Sequence, residues 1–181
     1  MRILRDSSVG VLVDIQERLH PHMHEGDLQL QKTLTLMAGL QTLEVPMLLT
    51  EQYPRGLGST LEAVQLQMGA AFSPLEKASF SCCDDAGFMR ALLGLQRSTV
   101  LLAGIETHVC VLQTAMDLLA ADMQPVVVVD ATSSRNPRDR DVALRRIERE
   151  GGRLTTVESI LFELTRMSGT ATFKDISRLV K

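Results

Sequence analysis

Aromatic side chains are scarce in this 181-residue chain: they make up 3% of it, with one tyrosine and no tryptophan. The core must therefore be built mainly from aliphatic side chains and from the nine methionines, which fill irregular gaps. No apolar run reaches the roughly 18 residues that a membrane span requires. The segment MRILRDSSVG lacks the sustained apolar stretch of a secretory leader. These absences predict a cytoplasmic protein with no membrane partner.

Cysteine is also rare, with three residues, of which Cys82 and Cys83 are adjacent. This spacing does not form the framework of a small disulfide-bonded protein. It fits a reducing compartment, where a cysteine is more often reactive or simply buried than bridged. We interpret Cys82 and Cys83 as bystanders, which leaves Cys110 as the cysteine of interest.

A large excess of charge of one sign is missing as well, because the net charge is only −3. The most basic stretch, RNPRDRDVALRRIERE, has acidic residues among its arginines, which is typical of a solvated helix face. The sequence therefore predicts no nucleic-acid partner. With 45% hydrophobic and 23% charged residues, the composition is that of a globular protein, and the length fits one domain over residues 1–181.

Short apolar runs alternate with helical patterns along the chain. Continuous apolar runs predict strands at VGVLVDI (9–15), VPMLLT (45–50), part of FSPLEKASF (72–80), STVLLAG (98–104), PVVVVDAT (125–132) and RLTTV (153–157). Helices are predicted over about 28–44, 84–95, the residues after 110, 136–151 and 158–167. The segment YPRGLGST is predicted to be a loop because of its proline and glycines.

This alternation predicts an α/β fold, a three-layer αβα sandwich with a doubly wound, six-stranded parallel sheet of the Rossmann-like kind. Sheets of this type carry their chemistry outside the carboxyl ends of the strands, where the strand order reverses. The polar residues that close each apolar run are therefore the candidates for a functional site.

Three such residues combine into a chemically sensible set: Asp14 after the first strand, Lys77 at the third and Cys110 after the fourth. A lysine cation and the positive end of a helix both favour a thiolate, so we expect the pKa of Cys110 to lie well below 8.5. An aspartate can take the thiol proton and later pass it to a leaving amine. The alternative is a buried cysteine, a surface lysine and a capping aspartate without a shared role.

Five ordered segments carry a family resemblance: VGVLVDIQERL, VPMLLTEQYPRGLGST, EKASFSC, VLLAGIETHVCVLQTAMDLLAAD and PVVVVDATSSR. With them the chain resembles the isochorismatase-like cysteine hydrolases, a superfamily that includes nicotinamidases and N-carbamoylsarcosine amidohydrolase. It is most similar to the isochorismatase-domain-containing subgroup. The resemblance implies a catalytic triad of Asp14, Lys77 and Cys110.

The resemblance also implies a cis peptide bond between Ile105 and Glu106, and an oxyanion hole formed by the amides of Glu106 and Cys110. The implied activity is metal-independent hydrolysis of a small amide-type C–N bond through a thioester on Cys110. Isochorismatase itself cleaves a vinyl ether without that cysteine, so the presence of Cys110 favours amide chemistry. Thr107 is expected to cap the following helix.

Four further residues are candidates for the substrate pocket: Gln16, Gln52, Tyr53 and His108. For each of them a structural role is the alternative, namely hydrogen bonding for the two glutamines, loop packing for Tyr53 and the start of a helix for His108. Asp130 at the end of the fifth predicted strand is interpreted as a structural cap of the ATSSR turn.

No metal and no other cofactor is predicted. Related nicotinamidases bind a metal through an aspartate and histidines in the loop after the second strand, and here that loop, TEQYPRGLGST, has no histidine. The histidines of HPHMH (20–24) follow the first strand instead, and we interpret them as part of a solvated loop or of the rim of the crevice.

A small-molecule substrate and a homo-oligomeric state are expected from the resemblance. Two other functions stay open. The first is a catalytically idle domain kept for oligomeric or partner contacts, and the second is a redox-responsive protein that uses the same thiol.

Overall fold

The computed structural model describes residues 2–181. One sheet of six strands forms its centre, with the order β3-β2-β1-β4-β5-β6. The strands are β1 (Ser8–Val13), β2 (Met47–Gln52), β3 (Leu75–Lys77), β4 (Thr99–Ile105), β5 (Gln124–Ser133) and β6 (Arg153–Thr155). Every neighbouring pair is parallel, so the predicted doubly wound parallel sheet is confirmed.

In the described part of the chain, residues 2–181, eight α-helices surround the sheet. They are α1 (Gly26–Thr42), α2 (Pro54–Leu57), α3 (Glu62–Met68), α4 (Ala86–Gly94), α5 (Leu112–Ala120), α6 (Pro137–Arg149), α7 (Val157–Thr165) and α8 (Ala171–Leu179). Single helical turns precede or follow several of them at Arg5–Ser7, His20–His22, Gly69–Ala71, Cys82–Asp84 and Thr107–Val111. Within residues 2–181, none of the helices has both the length and the apolar character needed to cross a bilayer.

Three of these helices differ from the sequence-based prediction. The predicted loop YPRGLGST contains α2, because Pro54 occupies the first helical turn, where proline fits well. Helix α3 has only seven residues, too few to show a clear helical period. Helix α8 begins at a cap in which the Thr170 hydroxyl accepts a hydrogen bond from the Phe173 amide.

The core consists of two apolar layers, one on each face of the sheet. Successive side chains of a strand point to opposite faces, so Leu12 belongs to the layer under α1, α7 and α8, whereas Val11 and Val13 belong to the layer under α4, α5 and α6. All six residues of β1 and all seven of β4 are buried. Burial on both faces explains why these strands are continuous apolar runs.

The strand order reverses between β1 and β4, which are neighbours at the middle of the sheet. From β1 the chain proceeds to β2 and β3 on one side, and from β4 it proceeds to β5 and β6 on the other. The carboxyl ends of β1 and β4 are level, because Val13 pairs with Gly104. Residues that follow these two strands are therefore brought side by side.

Candidate active site

Asp14 and Lys77 form a buried ion pair at the carboxyl edge of the sheet. Asp14 follows β1 in a left-handed conformation with φ 52°, and Lys77 ends the edge strand β3. The Lys77 side chain crosses β2 and its Nζ lies 2.7 Å from Oδ2 of Asp14. The two side chains are 1% and 0% exposed, so neither charge is compensated by bulk water.

Four oxygen atoms surround the Lys77 ammonium. Besides Asp14, its Nζ donates to Gln52 Oε1 at 2.7 Å and to the carbonyls of Ser79 and Phe80 at 3.1 and 3.2 Å. Burial acts to lower the pKa of Lys77, but the charge of Asp14 together with two nearby thiols outweighs it and raises the pKa above its ordinary value. Lys77 is therefore a fixed cation.

Cys110 lies in a π-helical turn, Thr107–Val111, that connects β4 to α5. The charges of Asp14 and Lys77 both act on its thiol, so the three residues of the predicted triad lie near one another. Cys110 is 5% exposed. Burial first, and then the charge of Asp14, raise the pKa of Cys110, and the opposing effect of Lys77 is smaller.

The expectation of a lowered pKa for Cys110 is therefore wrong. Lys77 does favour the thiolate, but its charge is already neutralised by Asp14, and burial penalises the charged sulfur. The raised pKa means that the resting residue is a neutral thiol close to the charge of Asp14. The arrangement can produce a nucleophile only if the carboxylate accepts this proton as the sulfur attacks.

Thr50 and Cys82 complete the surroundings of Asp14, and sequence reasoning assigned a role to neither. The Thr50 hydroxyl donates to Oδ1 of Asp14 at 2.7 Å, and the Cys82 sulfur lies 3.9 Å from the same hydroxyl. Burial, followed by the charge of Asp14, raises the pKa of Cys82 to about 11. A signal was present for Thr50, because it is the polar residue that ends the apolar run VPMLLT.

The turn after β4 is shaped by Gly104 and Glu106. Gly104 has φ 118°, and a Cβ there would lie 2.1 Å from the Val13 carbonyl oxygen, so only glycine fits. The peptide bond between Ile105 and Glu106 is cis. The buried Glu106 carboxylate accepts from the backbone N–H and Nε of Arg135, at 3.0 and 3.1 Å, which anchors the turn to the segment after β5.

Thr107 does not cap the helix, contrary to expectation. Its hydroxyl donates to the carbonyl of Ser133 at 3.0 Å, whereas the backbone carbonyl of Glu106 accepts from the amides of Val109 and Val111. The hydroxyl therefore connects the turn to the end of β5. Because this partner is 26 residues away in sequence, local patterns could not identify it.

The two glutamines proposed for the pocket have structural partners. Gln16 is fully buried. Its amide donates to the carbonyls of Gln52 and Gly58 and accepts from the Gln52 N–H. Gln52 accepts from Lys77 and donates to the carbonyl of Ala78. Both amides are thus used inside the protein, which favours the structural alternative over direct substrate contact.

Tyr53 and His108 lie at two separate cavities. Tyr53 is 59% exposed and, with Lys77 and Arg55, lines a cavity of about 380 Å³. His108 lines a cavity of about 230 Å³ with Leu112, and its Nδ1 lies 2.9 Å from the Ser134 hydroxyl. The structure does not bring these two residues to one common pocket.

Residues 2–181 contain no group of three or more His, Cys, Asp or Glu side chains arranged to hold a metal ion. In the HPHMH segment, the ring of His20 is buried and its Nε2 lies 3.1 Å from the carbonyl of Gly26. Asp130 lies within β5, and its carboxylate accepts from the Val157 N–H at 2.9 Å. Its role is structural, but it caps the start of α7 and not the ATSSR turn.

Comparisons with known proteins agree with this architecture. The model of the isochorismatase domain matches residues 8–159. Isochorismatase domain-containing protein 2A of Mus musculus is 40% identical over 181 residues, which cover 99% of this chain and 85% of the mouse protein.

Two solved structures have nearly the same fold. The MAR1 ribonuclease of Caenorhabditis elegans is 33% identical with a TM-score of 0.93, over 99% of this chain and 92% of that one. The YcaC protein of Escherichia coli, described as an octameric hydrolase of unknown specificity, is 22% identical with a TM-score of 0.92, over 99% and 90% of the two chains.

Proposed function

This chain belongs to the isochorismatase family, and we propose that it is a metal-independent cysteine hydrolase of a small amide-type substrate. Cys110 is the nucleophile, Asp14 the general base and acid, and Lys77 the cation that holds Asp14 in place. The observation that carries the proposal is a thiol, Cys110, beside a carboxylate that is itself paired with a buried ammonium. Such a pair contributes little net stability on its own, whereas perturbed groups of this kind are common at functional sites.

The proposed reaction has two halves. Asp14 takes the thiol proton as the sulfur attacks the carbonyl carbon, and the amides of Glu106 and Cys110 donate to the developing oxyanion. The C–N bond then breaks, and the leaving amine takes the proton from Asp14. Water attacks the resulting thioester and gives its proton to Asp14, which returns it to the sulfur as the acid leaves.

The raised pKa of Cys110 fits this sequence of steps. An amine is a poor leaving group unless it is protonated, so the site must supply a proton when the C–N bond breaks. A resting thiol carries that proton into the reaction, and Asp14 transfers it over a short distance. A resting thiolate would need a second acid.

Assembly into a homo-oligomer is part of the proposal. Two aromatic residues next to Lys77 are exposed, Tyr53 at 59% and Phe80 at 56%, and both are joined to Lys77 by hydrogen bonds. A neighbouring copy would cover them and close the approach to the site. Light scattering coupled to gel filtration measures the assembly directly, and a monomer would contradict this part. A cytoplasmic location remains a prediction from the composition.

A screen of primary amides, carbamoyl compounds, vinyl ethers and an RNA oligomer tests the function. The RNA is included because of the name of the C. elegans neighbour, and we expect no cleavage of it. We expect hydrolysis of at least one amide, at least about a thousandfold loss in Cys110→Ala, little change in the matched Cys83→Ala variant, and full activity after dialysis against EDTA. Hydrolysis that survives in Cys110→Ala would overturn the assignment.

A redox function of the same thiol is the second candidate, because a second thiol is close to the site. The Cys82 sulfur contacts the Thr50 hydroxyl, which donates to Asp14. Peroxide would oxidise Cys110 to a sulfenic acid, and attack by Cys82 would release water and form a disulfide. Peptide mapping after peroxide treatment distinguishes the two functions. The raised pKa of both thiols slows this route, so we expect the hydrolase to dominate. A catalytically idle domain would show neither activity.

A further inference from the structure

Thr50 has no role in the steps described above, yet it lies directly against the proposed base. We propose that Thr50 is a positioning residue whose hydroxyl fixes Asp14 as the proton acceptor of Cys110, an inference that rests on the proposed hydrolase function. It acts through Asp14 and does not touch the substrate.

Two contacts join Thr50 to Asp14. Thr50 lies in β2 opposite Val13 of β1, so the backbone N–H of Asp14 donates to the Thr50 carbonyl at 3.2 Å. On the same residue, the hydroxyl donates to Oδ1 of Asp14 at 2.7 Å. Both side chains are 0% exposed, so water cannot replace either contact. The position of Asp14 after β1 is therefore set by its neighbour in the sheet.

The direction of these hydrogen bonds is determined by chemistry. An ionised carboxylate only accepts, so the Thr50 proton must point to Oδ1, while Lys77 donates to Oδ2. The Cys82 thiol can donate to the Thr50 oxygen at 3.9 Å, which leaves the hydroxyl proton free for Asp14. Thr50 on one oxygen and Lys77 on the other fix the orientation of the carboxylate beside Cys110.

The loss of the Thr50 hydroxyl should slow proton transfer to Asp14. The titratable groups that face this carboxylate are Lys77 from β3, Cys82 from the turn before α4 and Cys110 from the turn before α5. Thr50 is the neutral donor that holds Oδ1. Removing a hydrogen bond to a charged group changes a rate or an equilibrium by about tenfold.

The test compares three variants in the full-length protein. Thr50→Val removes the hydroxyl without changing the shape of the side chain, and Thr50→Ser restores it. The matched control is Thr60→Val, because the buried Thr60 hydroxyl donates to Glu51 Oε1 at the same 2.7 Å away from the triad. If Thr50→Val does not fold, Thr50→Ala replaces it. The readouts are kcat and KM for the amide found in the screen and, without any substrate, the rate at which iodoacetamide alkylates the peptide containing Cys110.

In Thr50→Val we expect roughly tenfold lower kcat with little change in KM, and roughly tenfold slower alkylation of Cys110. Thr50→Ser should restore both rates, and Thr60→Val should change neither. Unchanged rates in Thr50→Val, or an equal loss in Thr60→Val, would overturn the inference even if the enzyme hydrolyses amides. Slower alkylation of Cys110 in a Thr50→Val protein whose parent hydrolyses nothing would support the positioning by Thr50 and refute the proposed function.

Discussion

Replacing Lys77 by methionine should strongly destabilise the protein. Methionine has a similar length but no charge, so the substitution leaves the Asp14 carboxylate buried without its cation. The structure shows no compensation by solvent, because the two side chains are 1% and 0% exposed. Removing one partner of a buried ion pair typically lowers the free energy of unfolding by about 3–5 kcal/mol. For a chain of this size that corresponds to a fall of roughly 6–20 °C in Tm.

Denaturant unfolding at pH 7 measures this loss, and two further variants isolate its cause. The double variant Asp14→Asn with Lys77→Met removes both charges, so it should lose clearly less stability than the sum of its single substitutions. Lys32→Met is the matched control. Its ammonium lies 4.0 Å from Asp130 and its side chain is 39% exposed, and a pair of this kind contributes about 1 kcal/mol or less.

A loss below about 1 kcal/mol, or a double variant that is strictly additive, would refute the reasoning. It would mean that Asp14 and Lys77 are not electrostatically coupled in the folded protein.

Three other predictions follow from the buried thiols and from two backbone contacts. Burial raises the pKa of Cys82 from 9.0 to about 11 and that of Cys83 to about 12. The folded state therefore keeps protons that the unfolded state loses, and the free energy of unfolding should fall as pH rises from 9 through 11. If the free energy of unfolding of a Cys82→Ala, Cys83→Ala double variant fell just as steeply, these thiols would not be the cause. Gly104→Ala should lower the free energy of unfolding by about 3 kcal/mol or more, because the added Cβ would lie 2.1 Å from the Val13 carbonyl oxygen. An unchanged melting temperature would contradict this prediction. Gln16→Leu removes the hydrogen bonds of Gln16 to the Gln52 N–H and to two carbonyls, which should lower the free energy of unfolding by about 2–3 kcal/mol. Because Gln52 also contacts Lys77, we expect lower activity as well, and unchanged kinetics would contradict that coupling.

The strands and the grouping of Asp14, Lys77 and Cys110 were predictable because their signals are local or follow from topology. The runs VGVLVDI and PVVVVDAT are buried on both faces of the sheet and so lack polar alternation. Once a parallel sheet is accepted, the carboxyl ends of its strands meet at one edge. That is why Asp14, Lys77 and Cys110, which are far apart in sequence, could be grouped before any coordinates were known.

The protonation state of the site was not predictable in the same way. Sequence reasoning weighed the charges near Cys110 and neglected its burial, and burial is the largest cause of its raised pKa. The partners of Gln16 and Gln52 were also out of reach, since they depend on the path of the loop after β2. Thr50 ends an apolar run just as Asp14 follows one, but its hydrogen bond to Asp14 spans 36 residues.

The most direct test of the central claim is mass spectrometry of the protein, quenched in acid during turnover of the amide identified by the screen. The account predicts that wild-type protein gains the mass of the acyl group on the peptide containing Cys110, and that Cys110→Ala gains none and does not turn over. Steady hydrolysis by Cys110→Ala, or an acyl group bound to a residue other than Cys110, would contradict it.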